Sequence, residues 1–253
     1  MKKFLISLAC LFCATSSFAF EMPAKTLIAE AQQLVVITTD DWQAINGQMQ
    51  LYERNPTTLR WQAVGPKTPI VVGRGGMGWG IEIQGYGYPG PIKVEKDYRT
   101  PAGVYKVGPA FGYPRQAPLR IKLAYMPVDD TYFCNDNSGK DYNTLIFNKE
   151  EPIRTEWRDV ELFRWGAIIQ YNMAEPIQNA GSCVLLHIWE SPNIGTKGCV
   201  AMSVEHLEVL IKWLDPNKKP VIVILPKKEY NKLRQAWGLP PLSWTQRLMY
   251  RVS

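Results

Sequence analysis

Apolar residues in this chain follow two rhythms. Residues 33–39 (Gln-Leu-Val-Val-Ile-Thr-Thr) form a short β-branched run of the kind that fills a buried strand. Asn46-Gly47 is a hairpin signal leading into a strand over residues 48–53, and residues 61–64 and 69–72 continue the series as separate pieces. Residues 100–103 (Thr-Pro-Ala-Gly) read as a turn entering another strand. Residues 167–172 and 183–187 read as core strands, and 220–226 as a closing one. The second rhythm is helical. Ser203 is placed to cap a helix in which Leu207, Leu210, Ile211 and Leu214 recur at i, i+3, i+4 and i+7, with Asp215-Pro216 at its end. A second helix is predicted over residues 228–237, before a Pro240-Pro241 tail. The pattern as a whole predicts a mainly β domain with flanking helices, an α+β class.

Two stretches carry neither rhythm. Residues 73–90 are glycine-rich but lack the Lys-Ser/Thr pair and following helix of a phosphate-cradling loop, so they read either as a mobile loop beside a site or as a plain connecting loop. Residues 110–165 are irregular and aromatic-rich. A loop of that length without structure is uncommon, which predicts a short helix around 157–165.

The first 19 residues form a separate unit. Lys2-Lys3, an apolar stretch over residues 4–14 and Ser17-Phe18-Ala19 make an export signal cleaved before Phe20, too short to span a membrane. Cys10 and Cys13 follow no good lipobox, so cleavage is favoured over lipidation. The mature protein is expected in an oxidising compartment, the periplasm. The 253 residues suffice for one large domain or two small ones, and residues 227–253 read as a C-terminal helix and tail. The formal charge of +6 falls to +4 without Lys2 and Lys3, an excess compatible with an acidic polymer and equally with ordinary solvated lysines. No basic-aromatic nucleic-acid signature and no zinc-finger spacing is present, and no metal or cofactor is expected.

Candidate chemistry centres on Cys199. It lies in Gly195-Thr196-Lys197-Gly198-Cys199, twelve residues after His187, one of two histidines in the chain. Imidazole is the usual base for a thiol near neutral pH. Cys183 and His187, four residues apart on one strand, would be separated by roughly 13 Å, too far for Cys183 to be the partner. The connection from His187 to Cys199 can turn back at Pro192 and Gly195. Gly198 lets the backbone approach a substrate, and the amides around it are candidate donors to an oxyanion. The helix that follows would modestly favour a thiolate. Thr196, Lys197 and Trp189 are candidate substrate contacts. His206 falls beside the buried stripe of its helix and reads as structural. With the leader removed, Cys134, Cys183 and Cys199 remain; one disulfide and one reactive thiol are expected. Pairing Cys134 with Cys183 is favoured; the rival, Cys183 with Cys199, would block the nucleophile.

The segment from His187 to Met202 resembles the active-site motif of YkuD-type L,D-transpeptidases: an upstream His, then Ser/Thr-x-Gly-Cys and an apolar residue, here His187, Thr196, Gly198, Cys199 and Val200. Thr100-Pro101-Ala102-Gly103 also recurs in that family. The resemblance covers about residues 33–226 and is nearest a branch with Gly-Ser-Cys before the His-bearing strand and Gly-Thr-x-Gly-Cys after it. Lys197 stands where many members have His, Ile188 where many have Gly or Ser, and Ala201 where Arg or Asn is common; the His-to-Cys spacing is short. The resemblance implies a YkuD-like β-sandwich or barrel, peptidoglycan stem peptides as donor and acceptor, and a cysteinyl acyl-enzyme forming 3-3 or 1-3 cross-links. A carboxypeptidase or amidase-type hydrolase on the same fold is the alternative, and a non-catalytic wall-binding protein a second.

Overall fold

The computed structural model describes residues 23–113, 120–128, 132–147 and 161–242. The export signal, the start of the helix expected around 157–165 and the end of the tail lie outside the described residues. The last part of that expected helix is a short 3-10 turn, Glu161–Phe163, followed at once by a strand.

The strands are β1 (Gln33–Thr39), β2 (Asn46–Arg54), β3 (Trp61–Val71), β4 (Met77–Trp79), β5 (Thr100–Gly112), β6 (Tyr125–Pro127), β7 (Tyr132–Cys134), β8 (Leu145–Phe147), β9 (Trp165–Ile169), β10 (Leu185–Ile188), β11 (Val200–Met202) and β12 (Val221–Pro226). The helices are α1 (Pro23–Glu30), α2 (Ile81–Gln84), α3 (Val204–Trp213) and α4 (Lys227–Trp237). The main sheet runs β12-β1-β2-β3-β11-β10-β9-β5-β4, and β5 also pairs with β12. That extra pairing, with Val221 opposite Lys106, closes the sheet into a barrel. Closure leaves no raw edge between β5 and β12. β6 pairs with β5, and β7 with β8 form a separate hairpin.

β3 is one continuous strand where the pattern predicts two pieces. Gly65 takes φ 65°, which only glycine adopts cheaply, and the β2–β3 register shifts between Met49 and Leu51. Gln50 fills the irregularity: its Nε2 donates to the carbonyls of Val64 and Gly65, both at 3.1 Å. The glycine-rich stretch is likewise more structured than a plain loop, since it contributes β4 and the single turn α2.

The two faces of β10 and β11 carry different apolar clusters. Val184, Leu186, Ile188, Val200 and Met202 face the large core, together with Leu207, Leu210, Ile211 and Leu214. Leu185 belongs to a smaller cluster with Phe111, Val128 and Ile168, against which Phe163, Cys134 and Cys199 pack. α3 follows its predicted stripe and packs on β9 and β10. Ser203 caps it, and the His206 ring Nδ1 lies 3.0 Å from the Ser203 hydroxyl, so His206 is taken up in the cap. α4 buries Tyr230, Leu233 and Trp237 in the main core, and α1, absent from the predicted elements, buries Ala24 and Ile28 there.

Candidate active site

β10 and β11 are parallel neighbours, with Leu186 opposite Val200 and His187 opposite Ala201. Strand parity puts His187 on the face of Leu185, away from the main core. Cys199 immediately precedes β11 and packs in the Leu185 cluster, so the thiol and the imidazole share one face of adjacent strands. Both line a cleft of about 420 Å³. Leu162, Phe163, Trp189, Glu190, Ile194, Lys197 and Arg74 also reach it, with Gly195 and Thr196 in its wall.

His187 is buried, 6% exposed. Its Nδ1 lies 2.8 Å from the carbonyl oxygen of Ile188. A carbonyl oxygen only accepts, so Nδ1 carries the proton and Nε2 holds the lone pair of a base. The Phe163 ring packs on the imidazole with centroids 5.0 Å apart. Its own neighbour Ile188 thus helps orient His187 through the backbone, a contact that side-chain patterns could not reveal.

The loop before Cys199 is held by hydroxyls. Thr196 Oγ1 donates to the Cys199 carbonyl at 2.7 Å and accepts the Gly198 N–H at 3.0 Å. From the far side Thr100 Oγ1 donates to the same carbonyl at 3.1 Å while accepting the Gly73 N–H at 2.8 Å. Gly198 has φ 137°, and a Cβ there would lie 3.1 Å from the Arg99 carbonyl oxygen, so both conformation and space call for glycine.

These contacts bear on three sequence expectations. The Gly198 amide does not point into open space for an oxyanion; in this structure it is spent on Thr196, because the tight turn brings that hydroxyl back over it. Thr196 spends its hydroxyl on shaping the loop, although its residue does line the cleft. β11 stands between Cys199 and Ser203, so about 10 Å of extended chain separates the cysteine from the α3 N-terminus, and helix-end effects fade within a turn.

Cys134 and Cys183 form a disulfide, with Cα atoms 5.8 Å apart. Cys183 lies outside β10 with φ 57°, so the expected strand over 183–187 starts two residues late, at Leu185. Its contribution to the site is a carbonyl: Cys199 Sγ donates to Cys183 O at 3.4 Å. Cys199 is in no disulfide. Lys197 and Trp189 line the cleft, as do Arg74, Leu162 and Phe163, which the sequence did not single out. Arg74 was visible only as a lone cation in a glycine run, and Thr100 only as part of a turn motif.

The YkuD family model, an L,D-transpeptidase catalytic domain, matches residues 36–223. The chain belongs to the YkuD family. The match takes in His187, Cys199 and Thr100 and nearly all of the barrel, while α4 lies beyond it. The YkuD domain makes this an L,D-transpeptidase-type enzyme with peptidoglycan as its substrate class. Comparison with curated proteins and with solved structures finds no match. No helix among the described residues is long and apolar enough to cross a membrane.

Proposed function

We propose that this protein is an exported, periplasmic L,D-transpeptidase that uses Cys199 as nucleophile and His187 as general base and acid. The observation that carries this reading is the placement of thiol and imidazole on one face of adjacent strands, in one cleft. His187 Nε2 takes the thiol proton, in place of the bond to the Cys183 carbonyl. The thiolate attacks the carbonyl carbon at an L–D bond of a stem peptide. The C–N bond then breaks, the leaving amine takes the proton from His187, and a thioester to Cys199 remains. An acceptor amine attacks the thioester, His187 takes its proton, and the thiol is restored as the new amide forms. The acyl donor is diaminopimelate at stem position three or alanine at position one, giving 3-3 or 1-3 cross-links. A Gly198 amide acting on the oxyanion would first have to exchange Thr196 Oγ1 for it.

Muropeptide analysis of wall material incubated with wild type and with Cys199→Ala tests this. New cross-linked dimers that vanish in the variant support transfer. Shortened monomers alone would identify a hydrolase, and unchanged wall with either protein would leave only a binding role.

A further inference from the structure

One fixed cation in the cleft has no part in the acyl-transfer chemistry. Arg74 follows β3, whose Val71 pairs with Ala201 of β11, and an isolated bridge joins Gly73 to Thr196. The Arg74 N–H donates to Thr196 O at 2.8 Å, and the Thr196 N–H donates to Val72 O at 2.9 Å. Gly195 packs so closely that a Cβ on it would lie 2.7 Å from Arg74 Cα. The Arg74 backbone is thus locked to the loop that carries Cys199. Its guanidinium lies 3.7 Å over the Tyr98 ring. Tyr98 in turn is tied to the same turn, its carbonyl accepting the Gly75 N–H at 2.9 Å. Arg74 is exposed at the cleft and pairs with no carboxylate among the described residues. Ala201, fully buried beside Val71 and His187, brings no charge to this face. The other charged lining residues are Lys197 and Glu190. The stack on Tyr98 holds the Arg74 side chain at the cleft, and a guanidinium presents the planar fork that matches a carboxylate, where an ammonium such as that of Lys197 is a point charge.

We propose that Arg74 binds the free α-carboxylate of the D-residue on the leaving side of the scissile bond. This rests on the reading of the cleft as a stem-peptide site. Where an L–D bond is cut, the D-residue supplies the departing amine, and its α-carboxylate stands one carbon away from that nitrogen. A guanidinium fixed to the nucleophile loop reads the carboxylate and the attacked carbonyl against one rigid frame. An L-residue in that place would exchange the positions of side chain and carboxylate, so Arg74 selects for the D-configuration as well as for charge.

The test measures how well peptides protect Cys199 from alkylation by iodoacetamide, a neutral reagent, with the adduct located by mass spectrometry. The probes are the tetrapeptide L-Ala-γ-D-Glu-meso-diaminopimelate-D-Ala, the same peptide amidated at the terminal D-Ala, and the same peptide amidated at the D-Glu α-carboxylate. In wild type, one of the amidations weakens protection by roughly tenfold or more, the loss of a charge-assisted hydrogen bond. Arg74→Gln weakens protection by the acid form equally and makes acid and amide alike, and Arg74→Lys falls between. Lys197→Gln keeps the acid–amide ratio. An unchanged alkylation rate without peptide shows that the Arg74 variants keep the site folded. If neither amidation matters in wild type, or Arg74→Gln retains the ratio, the Arg74 assignment is overturned while the stem-peptide reading stands. If no form protects Cys199 at all, both fail together.

Discussion

The Cys199 carbonyl accepts hydroxyls from two directions, and this arrangement makes a quantitative prediction. Thr196→Val removes one donor to that carbonyl and also deprives the buried Gly198 N–H of its acceptor. Leaving a buried amide unsatisfied costs about 1–3 kcal/mol, and the lost bond to the carbonyl adds about 1 kcal/mol. Thr100→Val does the same to the Gly73 N–H and the other donor. Each single variant is therefore expected to lose about 2–4 kcal/mol. For a domain of this size that is a fall in melting temperature of roughly 6–12 °C. In each single variant the carbonyl keeps one hydroxyl. The double variant strips away both, so its loss should exceed the sum of the singles by about 1 kcal/mol, as expected for residues sharing one partner. Urea denaturation of the four proteins measures the cycle, and Thr→Ser at either position should restore most of the loss. A double variant that is additive within about 0.3 kcal/mol would refute the shared-carbonyl argument. Singles that melt within 2 °C or so of wild type would refute the burial argument as well.

Further outcomes follow from other parts of the fold. The Cys134–Cys183 disulfide spans 49 residues of sequence; in the chain-entropy account Cys134→Ser costs about 4 kcal/mol, read as a lower denaturation midpoint, and a midpoint unchanged from wild type would count against it. Gly198→Ala forces a Cβ into a φ of 137° against the Arg99 carbonyl, so it should destabilise by about 1–3 kcal/mol and slow Cys199 alkylation, whereas wild-type values for both would show the loop to be pliable. Glu82 Oε2 and Tyr105 OH are buried with no hydrogen-bond partner among the described residues, and burial raises the Glu82 carboxyl above its ordinary value. The folded state then holds a proton that the unfolded state releases, so this group adds stability as pH falls from the raised value toward the ordinary carboxylate range. Glu82→Gln should be more stable than wild type at neutral pH and lose that part of the slope; a melting profile parallel to wild type between pH 4 and 7 or so would contradict the assignment.

Periodicity made α3 legible, because a full stripe of leucine and isoleucine has no competing reading, and β1 and β12 because β-branched runs do not sit well in helices. It split β3 because Gly65-Pro66 looks like a break. The continuity depends on Gln50, a side chain on the neighbouring strand that a local window does not weigh. The pairing of His187 with Cys199 could be argued from order and turn residues. The parts that shape the site could not: the Ile188 carbonyl is backbone, and Arg74 and Thr100 lie 125 and 99 residues upstream of Cys199, brought to it by the β3–β11 and β5 contacts. Barrel closure is equally non-local, since it depends on β5 meeting β12. Cys183 shows the reverse failure. A correct disulfide partner was paired with an incorrect strand, because apolar neighbours outweighed a positive φ that sequence does not display.

The hydroxyls that hold the loop before Cys199 grip the carbonyl of that residue, not its sulfur. Reactivity and architecture are therefore carried by different atoms of one residue. Any small side chain at position 199 inherits the same turn and the same cleft. Under the proposed mechanism, one substitution is enough to turn the protein from a reagent into a receptor, with the cleft kept and the covalent step gone.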